Sequence, residues 1–308
     1  MKRIYALLTV TLMAGFFLSA CSTLAPSTPT VTLVPTVVFA PTLADPTPTA
    51  VASPTVIAEP TAAPTDDSFT GTAVSFDQLS LVIPVEMAAG GSGTLVPEAI
   101  GDSVAPWEVA PEHIKFTMDG YTLADKLYPP EIYIYPAEAY AQLQERGTAA
   151  QSLEQLRAVL DQSAMVNVKE LPSVPFFNVT QALAAQVKVI PFQNGRGVRM
   201  VTEYAGGRLI INNHELIYHF EGLTDDDQYY VIAILPVTAP GLPEDGQPGG
   251  VVPASGVPVP DFNDMNANWM GYYGDVRQML QGLEPGAYNP NLDQLDALIG
   301  SLTIVPSD

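Results

Sequence analysis

Hydrophobic and polar residues alternate in several short runs along the chain, a pattern typical of strands that bury one face. The runs predicted as strands are Val74 to Ile83, Glu131 to Tyr135, Gln186 to Phe192, Val198 to Tyr204, Glu215 to Phe220, Tyr229 to Leu235 and Leu302 to Val305. Turns at Ala205-Gly206-Gly207 and at Leu223 to Gln228 separate the middle runs. Turns of this kind favour hairpins, so the middle strands are predicted to form an antiparallel sheet.

Three other segments have helical spacing. Leu153, Leu156, Val159 and Leu160 form one apolar stripe of a helix that is predicted to begin near Thr148, and two more helices are predicted over Asp264 to Gly282 and Asn291 to Ser301. The pattern therefore predicts an α+β fold, with a central mostly antiparallel sheet flanked by helices and a chain that ends helix-helix-strand. This order of elements is similar in outline to the PsbP-like fold, and that resemblance implies an accessory or binding role.

The N-terminus has the regions of a secretory signal: Lys2 and Arg3, an apolar run from Ile4 to Phe17, and then Leu18-Ser19-Ala20-Cys21. An uncleaved membrane anchor is the alternative interpretation. The final tetrad resembles the lipobox of bacterial lipoproteins. That resemblance implies removal of residues 1–20, diacylglycerol on the Cys21 thiol, and a fatty acid such as palmitate on the new amine.

Acylated Cys21 would hold the protein to the cell membrane, facing the extracytoplasmic side of the cell envelope, since two or three acyl chains anchor stably. Cys21 is also the single cysteine of the chain, which excludes a disulfide within it. The lipid bilayer is therefore the first predicted partner, and an envelope protein or small ligand is the second.

Residues 21–65 are predicted to be the lipidated cysteine and an extended stalk. They contain eight Pro-Thr pairs and almost no charge, a composition that favours an extended chain of about 3 Å per residue over a packed core. Residues 66–308 are predicted to form one domain. Within it, 12 of the 25 residues from Pro236 to Pro260 are Gly or Pro, which indicates either a mobile insertion or a lid over a pocket.

The charge of the chain excludes an ordinary nucleic-acid binder. The chain has 33 acidic and 12 basic residues and a formal charge of −21, whereas phosphate backbones are bound by clustered Lys and Arg. Removing residues 1–20 would leave 10 basic and 33 acidic residues, a charge of −23, nearly all of it after residue 65.

Four basic residues are close together in the sequence and form a candidate anion site: Lys188, Arg196, Arg199 and Arg208. Clustered cationic side chains recognise carboxylates or phosphates. Ion pairing with the many acidic residues of the chain is the alternative interpretation, and it is favoured.

Two acidic segments are candidate calcium sites. Asp264, Asn266, Asn268 and Asp275 occupy positions one, three, five and twelve of an EF-hand spacing, but Trp269 replaces the glycine of position six. A helix cap at Asp261, Asn263 or Asp264 explains the same residues and is favoured. The second segment is Asp225-Asp226-Asp227, for which a solvated turn is the favoured alternative.

Signals for catalysis are weak. His214-Glu215-Leu216-Ile217-Tyr218-His219 misses the His-Glu-x-x-His zinc spacing by one residue, and His113 is the third histidine. No catalytic residue or cofactor is predicted. Aromatic side chains that could line a binding face, or belong to the core, are Trp107, Tyr133, Tyr135, Trp269, Tyr272 and Tyr273. The favoured hypothesis is a non-enzymatic ligand-binding, protein-binding or envelope-accessory domain. The alternative is a carboxylate-dependent envelope hydrolase, which could use calcium in addition to its carboxylates.

Overall fold

A computed structural model describes residues 70–144, 148–161 and 170–305. Its main feature is a seven-stranded sheet in which every neighbouring pair is antiparallel, in the order β3-β4-β5-β9-β8-β7-β6. The strands of this sheet are β3 (Gly90–Val96), β4 (His113–Asp119), β5 (Glu131–Pro136), β6 (Thr180–Phe192), β7 (Gly195–Ala205), β8 (Ile217–Thr224) and β9 (Tyr229–Pro236). The predicted antiparallel sheet is confirmed.

A smaller sheet and four helices complete the described part. The strands β1 (Gly71–Phe76), β2 (Leu79–Pro84) and β10 (Thr303–Ile304) form the small sheet in the order β1-β2-β10. The helices are α1 (Ala137–Leu143), α2 (Thr148–Asp161), α3 (Trp269–Gln281) and α4 (Leu292–Gly300), with a short 3-10 helix at Pro285–Ala287. The described chain thus ends helix-helix-strand, and the α+β class is confirmed.

Each face of the large sheet is covered by its own core. One face packs with α1 and α2, and the other packs with α3, α4 and the small sheet. On β8, Ile217 and Leu223 belong to the first core, whereas Tyr218 and Phe220 belong to the second, as the period of two requires. Because both faces are covered, all eight residues of β8 are buried.

Some boundaries differ from the sequence predictions. The run Val74 to Ile83, predicted as one strand, is a hairpin of β1 and β2 that turns at Asp77, whose φ of 49° is left-handed. Three elements had not been predicted, namely β3, β4 and α1. The β3 sequence, GGSGTLV, has no apolar alternation because this strand lies at the sheet edge with its side chains half-buried or exposed. The helix predicted from Asp264 begins only at Trp269.

A bulge in β6 attaches α3 to the sheet. The pairing of β6 with β7 shifts between Ala185 and Lys188, and Gln186 there has a φ of 55°. Its side-chain amide donates to the carbonyls of Leu280 (3.0 Å) and Leu283 (2.9 Å). The Leu280 carbonyl belongs to the last turn of α3, where the amides of the helix itself supply no donor, and the Leu283 carbonyl follows just after the helix end.

Candidate functional site

The Gly/Pro-rich segment forms most of a cleft of about 520 Å³, which we call the loop cleft. Its lining residues are Ile210, Pro243, Asp245, Gln247, Pro248, Gly249, Gly250, Val252, Val259, Pro260, Asp261, Phe262 and Asn263. The segment is therefore itself the wall of a cleft. Its volume is within the range of small-molecule sites, about 300–1,000 Å³.

The first residues of this segment are fixed to the domain. Val237, Ala239 and Leu242 are buried in the core. The Asn213 side chain accepts a hydrogen bond from the Ala239 amide (2.8 Å) and donates one to the Leu242 carbonyl (3.4 Å). The cleft is consequently held against the β7–β8 connection, which supplies Ile210.

The loop cleft combines carboxylates with apolar walls. Asp245 Oδ1 accepts from the Gln247 amide (3.0 Å), and Asp261 Oδ1 accepts from the Asn263 amide (2.9 Å). These bonds fold the chain into local turns and occupy one oxygen of each carboxylate. The ring of Phe262 packs against that of Trp269 at 4.6 Å between centroids. The cleft can therefore offer carboxylate oxygen and apolar surface to the same ligand.

Exposed apolar side chains occur in the same part of the chain. Val251, Met265 and Met270 are 87%, 79% and 78% exposed, more than any other large hydrophobic residue that the structure describes. The sequence has no Lys or Arg between Arg208 and Arg277. Apolar side chains exposed to this extent are typical of contact surfaces when they occur together.

A second cleft, of about 350 Å³, brings two of the sequence-predicted candidates together. We call it the mixed-charge cleft, and its lining residues are Arg157, Leu160, Asp161, Arg196, Leu223, Thr224, Asp225 and Asp227. Arg196 thus lies beside Asp225 and Asp227. Arg157 and Asp161 were missed by sequence reasoning, because exposed charges on an amphipathic helix give no sign of which turn lies next to them.

The four basic residues of the predicted anion site do not converge. Lys188 Nζ and Arg199 Nε contact the Asp296 carboxylate of α4 at 3.3 and 3.2 Å. Arg196 and Arg208 are exposed near opposite ends of β7. Lys188 and Arg199 therefore belong to an internal ion-pair network. For these two residues, the interpretation as ion pairs applies and the anion site does not.

The residues of the EF-hand spacing do not surround one point. Asn268 caps α3 by accepting from the Gly271 amide at 2.9 Å. Asp264 Oδ1 accepts from the Asn266 amide at 2.8 Å. Positions six to twelve of the spacing are helical, so Asp275 lies about 10 Å along the helix axis from the cap. A helix cap is present, but at Asn268 and not at the residues predicted for it.

The three aspartates of the β8–β9 turn have different roles. Asp226 Oδ1 accepts from the Thr224 hydroxyl (2.6 Å) and the Gln228 amide (3.1 Å). These two hydrogen bonds, in that order, lower the pKa of Asp226. Asp225 and Asp227 line the mixed-charge cleft. The middle residue therefore builds the turn, while its two neighbours present their carboxylates to the cleft.

The histidines lie in separate environments. His214 Nδ1 is 2.8 Å from the Asp125 carbonyl, and His113 Nδ1 is 2.8 Å from the Pro111 carbonyl. His219 is fully buried on β8. In residues 70–144, 148–161 and 170–305, no group of three or more His, Cys, Asp or Glu side chains is arranged to hold a metal ion.

His219 belongs to a buried polar network on the α1/α2 face. Its Nε2 lies 2.8 Å from Glu221 Oε1, although the two atoms are not aligned as a hydrogen bond. The Tyr204 hydroxyl is 3.2 Å from the other ring nitrogen. Glu221 Oε2 accepts from Tyr230 and from Ser152 (2.9 Å). None of these side chains lines either cleft, and the network joins α2 to the sheet.

A second buried carboxylate lies at the end of β7. Glu203 accepts from the Asn212 backbone amide at 3.0 Å and from its side-chain amide at 3.2 Å. Burial raises the pKa of Glu203 well above its ordinary value, and the neighbouring Glu215 carboxylate adds to the rise. Burial also raises the pKa of the nearby Tyr128 to about 12, with Glu215 and Glu203 as further causes. Burial therefore makes Glu203 harder to ionise than a glutamate in water.

Of the six aromatic residues singled out in the sequence, three are buried in the two cores, namely Tyr135, Trp269 and Tyr272. Tyr133 and Tyr273 are half-buried, and Trp107 is 37% exposed. Tyr133 stands on the α1/α2 face and Tyr273 on α3, beside the other face. The six rings do not form one common surface.

Comparison with family models, with curated proteins and with solved structures found no match to this chain. Over the described ranges, no helix has both the length and the apolar character needed to cross a membrane. Cys21 and residues 21–65 lie outside the described residues, so the lipid anchor and the stalk remain predictions, as does the resemblance to the PsbP-like fold.

Proposed function

We propose that this chain is a lipid-anchored extracytoplasmic lipoprotein whose folded domain binds a ligand or an envelope protein in the loop cleft. The observation that carries the proposal is the composition of that cleft. Two carboxylates, Asp245 and Asp261, face it together with apolar walls, and strongly exposed Val251 and Met265 neighbour its lining residues. Binding sites of this kind combine apolar area with a few polar groups that orient the ligand.

The anchor part of the proposal depends on Cys21. The folded domain would carry nearly all of the negative charge, and an anionic membrane surface repels such a domain. The lipid on Cys21, and not electrostatic attraction, would therefore attach the protein to the membrane. We expect the full-length chain, expressed in a bacterium, to partition with membranes, and Cys21→Ala to prevent lipid addition. If Cys21→Ala protein still partitions with membranes and carries its signal, the uncleaved anchor is the correct interpretation.

The binding part is tested by thermal denaturation of the purified full-length chain against a panel of sugars, peptides, metabolites and Ca²⁺. A ligand that binds only the folded state raises the midpoint with concentration. We expect a hit from the panel to lose its shift in Asp245→Asn and Asp261→Asn, and to keep it in Asp293→Asn. Asp293 is exposed on α4 and does not line the loop cleft.

A carboxylate-dependent hydrolase is the second candidate, because two carboxylates line one cleft. Turnover of a panel substrate that is abolished by Asp245→Asn or Asp261→Asn, with binding retained, would establish it. Binding without turnover would support the non-enzymatic proposal. A panel in which no compound shifts the midpoint and no partner crosslinks to the cleft would count against both candidates.

A further inference from the structure

The mixed-charge cleft is built by three parts of the chain that are far apart in sequence. Arg157 and Asp161 come from the last turns of α2, Arg196 from the start of β7, and Asp225 and Asp227 from the β8–β9 turn. Leu223, which is buried, and Leu160, which is half-buried, supply its apolar surface. The cleft is a different surface from the loop cleft, with which it shares no lining residue.

Backbone hydrogen bonds hold two of these parts side by side. The Asp225 amide donates to the Asn194 carbonyl at 2.9 Å, which joins the β8–β9 turn to the β6–β7 turn. The Asp227 amide donates to the Thr224 carbonyl at 2.9 Å, and Asp227 has a φ of 58°. Arg196 and the two aspartates are therefore presented by a fixed backbone, so a ligand would not have to order it.

The five charged side chains of this cleft are unpaired within the described chain. Neither Arg157 nor Arg196 has a carboxylate oxygen within 4.0 Å, and Asp161, Asp225 and Asp227 accept no hydrogen bond through their side chains. The Asp226 carboxylate, by contrast, accepts hydrogen bonds from the Thr224 hydroxyl and the Gln228 amide within the turn. Opposite charges thus face one cleft of about 350 Å³ without neutralising each other in direct contact.

The signs of these charges select a class of ligand. A simple anion would meet three carboxylates, and a simple cation would meet two guanidiniums. The cleft has a net charge of −1, and a ligand with one carboxylate and two cationic groups has a net charge of +1 that offsets it while it offers a partner to charges of both signs. Guanidinium groups bind carboxylates through paired N–H donors, and aspartates accept from ammonium groups.

We propose that the mixed-charge cleft binds an α-amino acid with a cationic side chain, its carboxylate on Arg157 and Arg196 and its two cationic groups on Asp161, Asp225 and Asp227. All five protein side chains are exposed, and pairs between exposed charges are weak. The affinity is therefore expected in the millimolar range. This inference is independent of the function proposed for the loop cleft.

The test is isothermal titration of the full-length chain in detergent, with three probes of matched length. L-lysine carries all three charged groups, cadaverine lacks the carboxylate, and 6-aminohexanoate lacks the α-ammonium group. We expect saturable binding of L-lysine at millimolar concentration, about fivefold tighter than either of the other two probes. Equal binding of L-lysine and cadaverine would show that the arginines take no part, and would overturn the proposal.

Variants locate the site. Arg196→Gln is expected to weaken L-lysine binding about fivefold without weakening cadaverine binding, because cadaverine has no carboxylate and loses a like charge, and Asp225→Asn is expected to weaken both. Arg208→Gln is the matched control, since Arg208 is exposed but lies outside the cleft. Because the replaced side chains are exposed, the three variants should have the far-UV circular dichroism spectrum and the melting midpoint of the wild type. No saturation below about 10 mM L-lysine, or equal weakening by Arg208→Gln, would refute the inference.

Discussion

Replacing Asp296 by alanine tests whether a buried ion pair holds α4 against the sheet. The Asp296 carboxylate contacts Arg199 Nε at 3.2 Å and Lys188 Nζ at 3.3 Å, and it accepts from the Tyr218 hydroxyl at 3.0 Å. Arg199 is only 3% exposed, and Tyr218 is fully buried. Removing the carboxylate leaves the Arg199 guanidinium without its ion-pair partner and the Tyr218 hydroxyl without its acceptor, both in the interior.

The expected loss follows from these exposures. Breaking a buried ion pair by removing one partner costs about 3–5 kcal/mol, because the remaining charge is left uncompensated. Arg199 keeps one acceptor, the Gln186 carbonyl, and Lys188 is 32% exposed, so water solvates part of the site. We therefore expect Asp296→Ala to lower the free energy of unfolding by about 3 kcal/mol.

Urea denaturation followed by circular dichroism and tryptophan fluorescence measures this loss. With a slope of roughly 3 kcal/mol per molar urea, the midpoint should fall by about 1 M. Asp293→Ala is the control, because Asp293 is exposed in the first turn of the same helix and contributes only about 0.5 kcal/mol through the helix dipole. A loss for Asp296→Ala within about 1 kcal/mol of the control would refute the reasoning.

Three further predictions concern pH, backbone packing and a helix end. The pKa of Glu203 is higher in the folded than in the unfolded chain. The stabilisation that this shift provides is therefore complete at low pH, and it should decline as pH rises from the unfolded pKa of about 4.3 toward the folded pKa, by about 1.4 kcal/mol for each pKa unit between the two. Glu215→Gln should reduce this fall in melting curves recorded from pH 4 to 8, and identical slopes for both proteins would contradict it. Gly197→Ala should lower the free energy of unfolding by several kcal/mol, because an added Cβ would lie 2.2 Å from the Glu221 carbonyl oxygen. Gly207→Ala is the control: its added Cβ would have no atom within 4 Å, so in the same urea assay its free energy of unfolding should differ from that of the wild type by less than about 0.5 kcal/mol. Asn268→Ala should cost about 1 kcal/mol through loss of the α3 cap, without any calcium-dependent change in melting midpoint; a calcium shift present in the wild type and lost in this variant would revive the calcium site.

The two clefts show how far sequence reasoning reached toward the candidate sites. Glycine and proline content singled out residues 236–260, since such a composition resists regular structure. The composition does not indicate that this segment lines a cleft together with Ile210, because that arrangement depends on the packing of Leu242 in the core. In the same way, the sequence groups Arg196 with Lys188, Arg199 and Arg208, but its neighbour in the cleft, Asp225, is 29 residues away in the chain.

The α+β class follows from the sequence alone, because the short apolar and β-branched runs of β7 and β9 and the apolar stripes of α2 and α4 are local patterns. The sequence also predicts the lipid anchor at Cys21, a signal read in linear order. Which charges are paired depends on tertiary packing. Arg199 meets Asp296 because the sheet face that carries Arg199 packs against α4. Arg196, three residues earlier at the exposed start of β7, lies beside α2 instead, and no carboxylate oxygen of the described residues is within 4.0 Å of it. Ion pairing depends on distances of a few ångströms between elements, and linear spacing does not specify those distances.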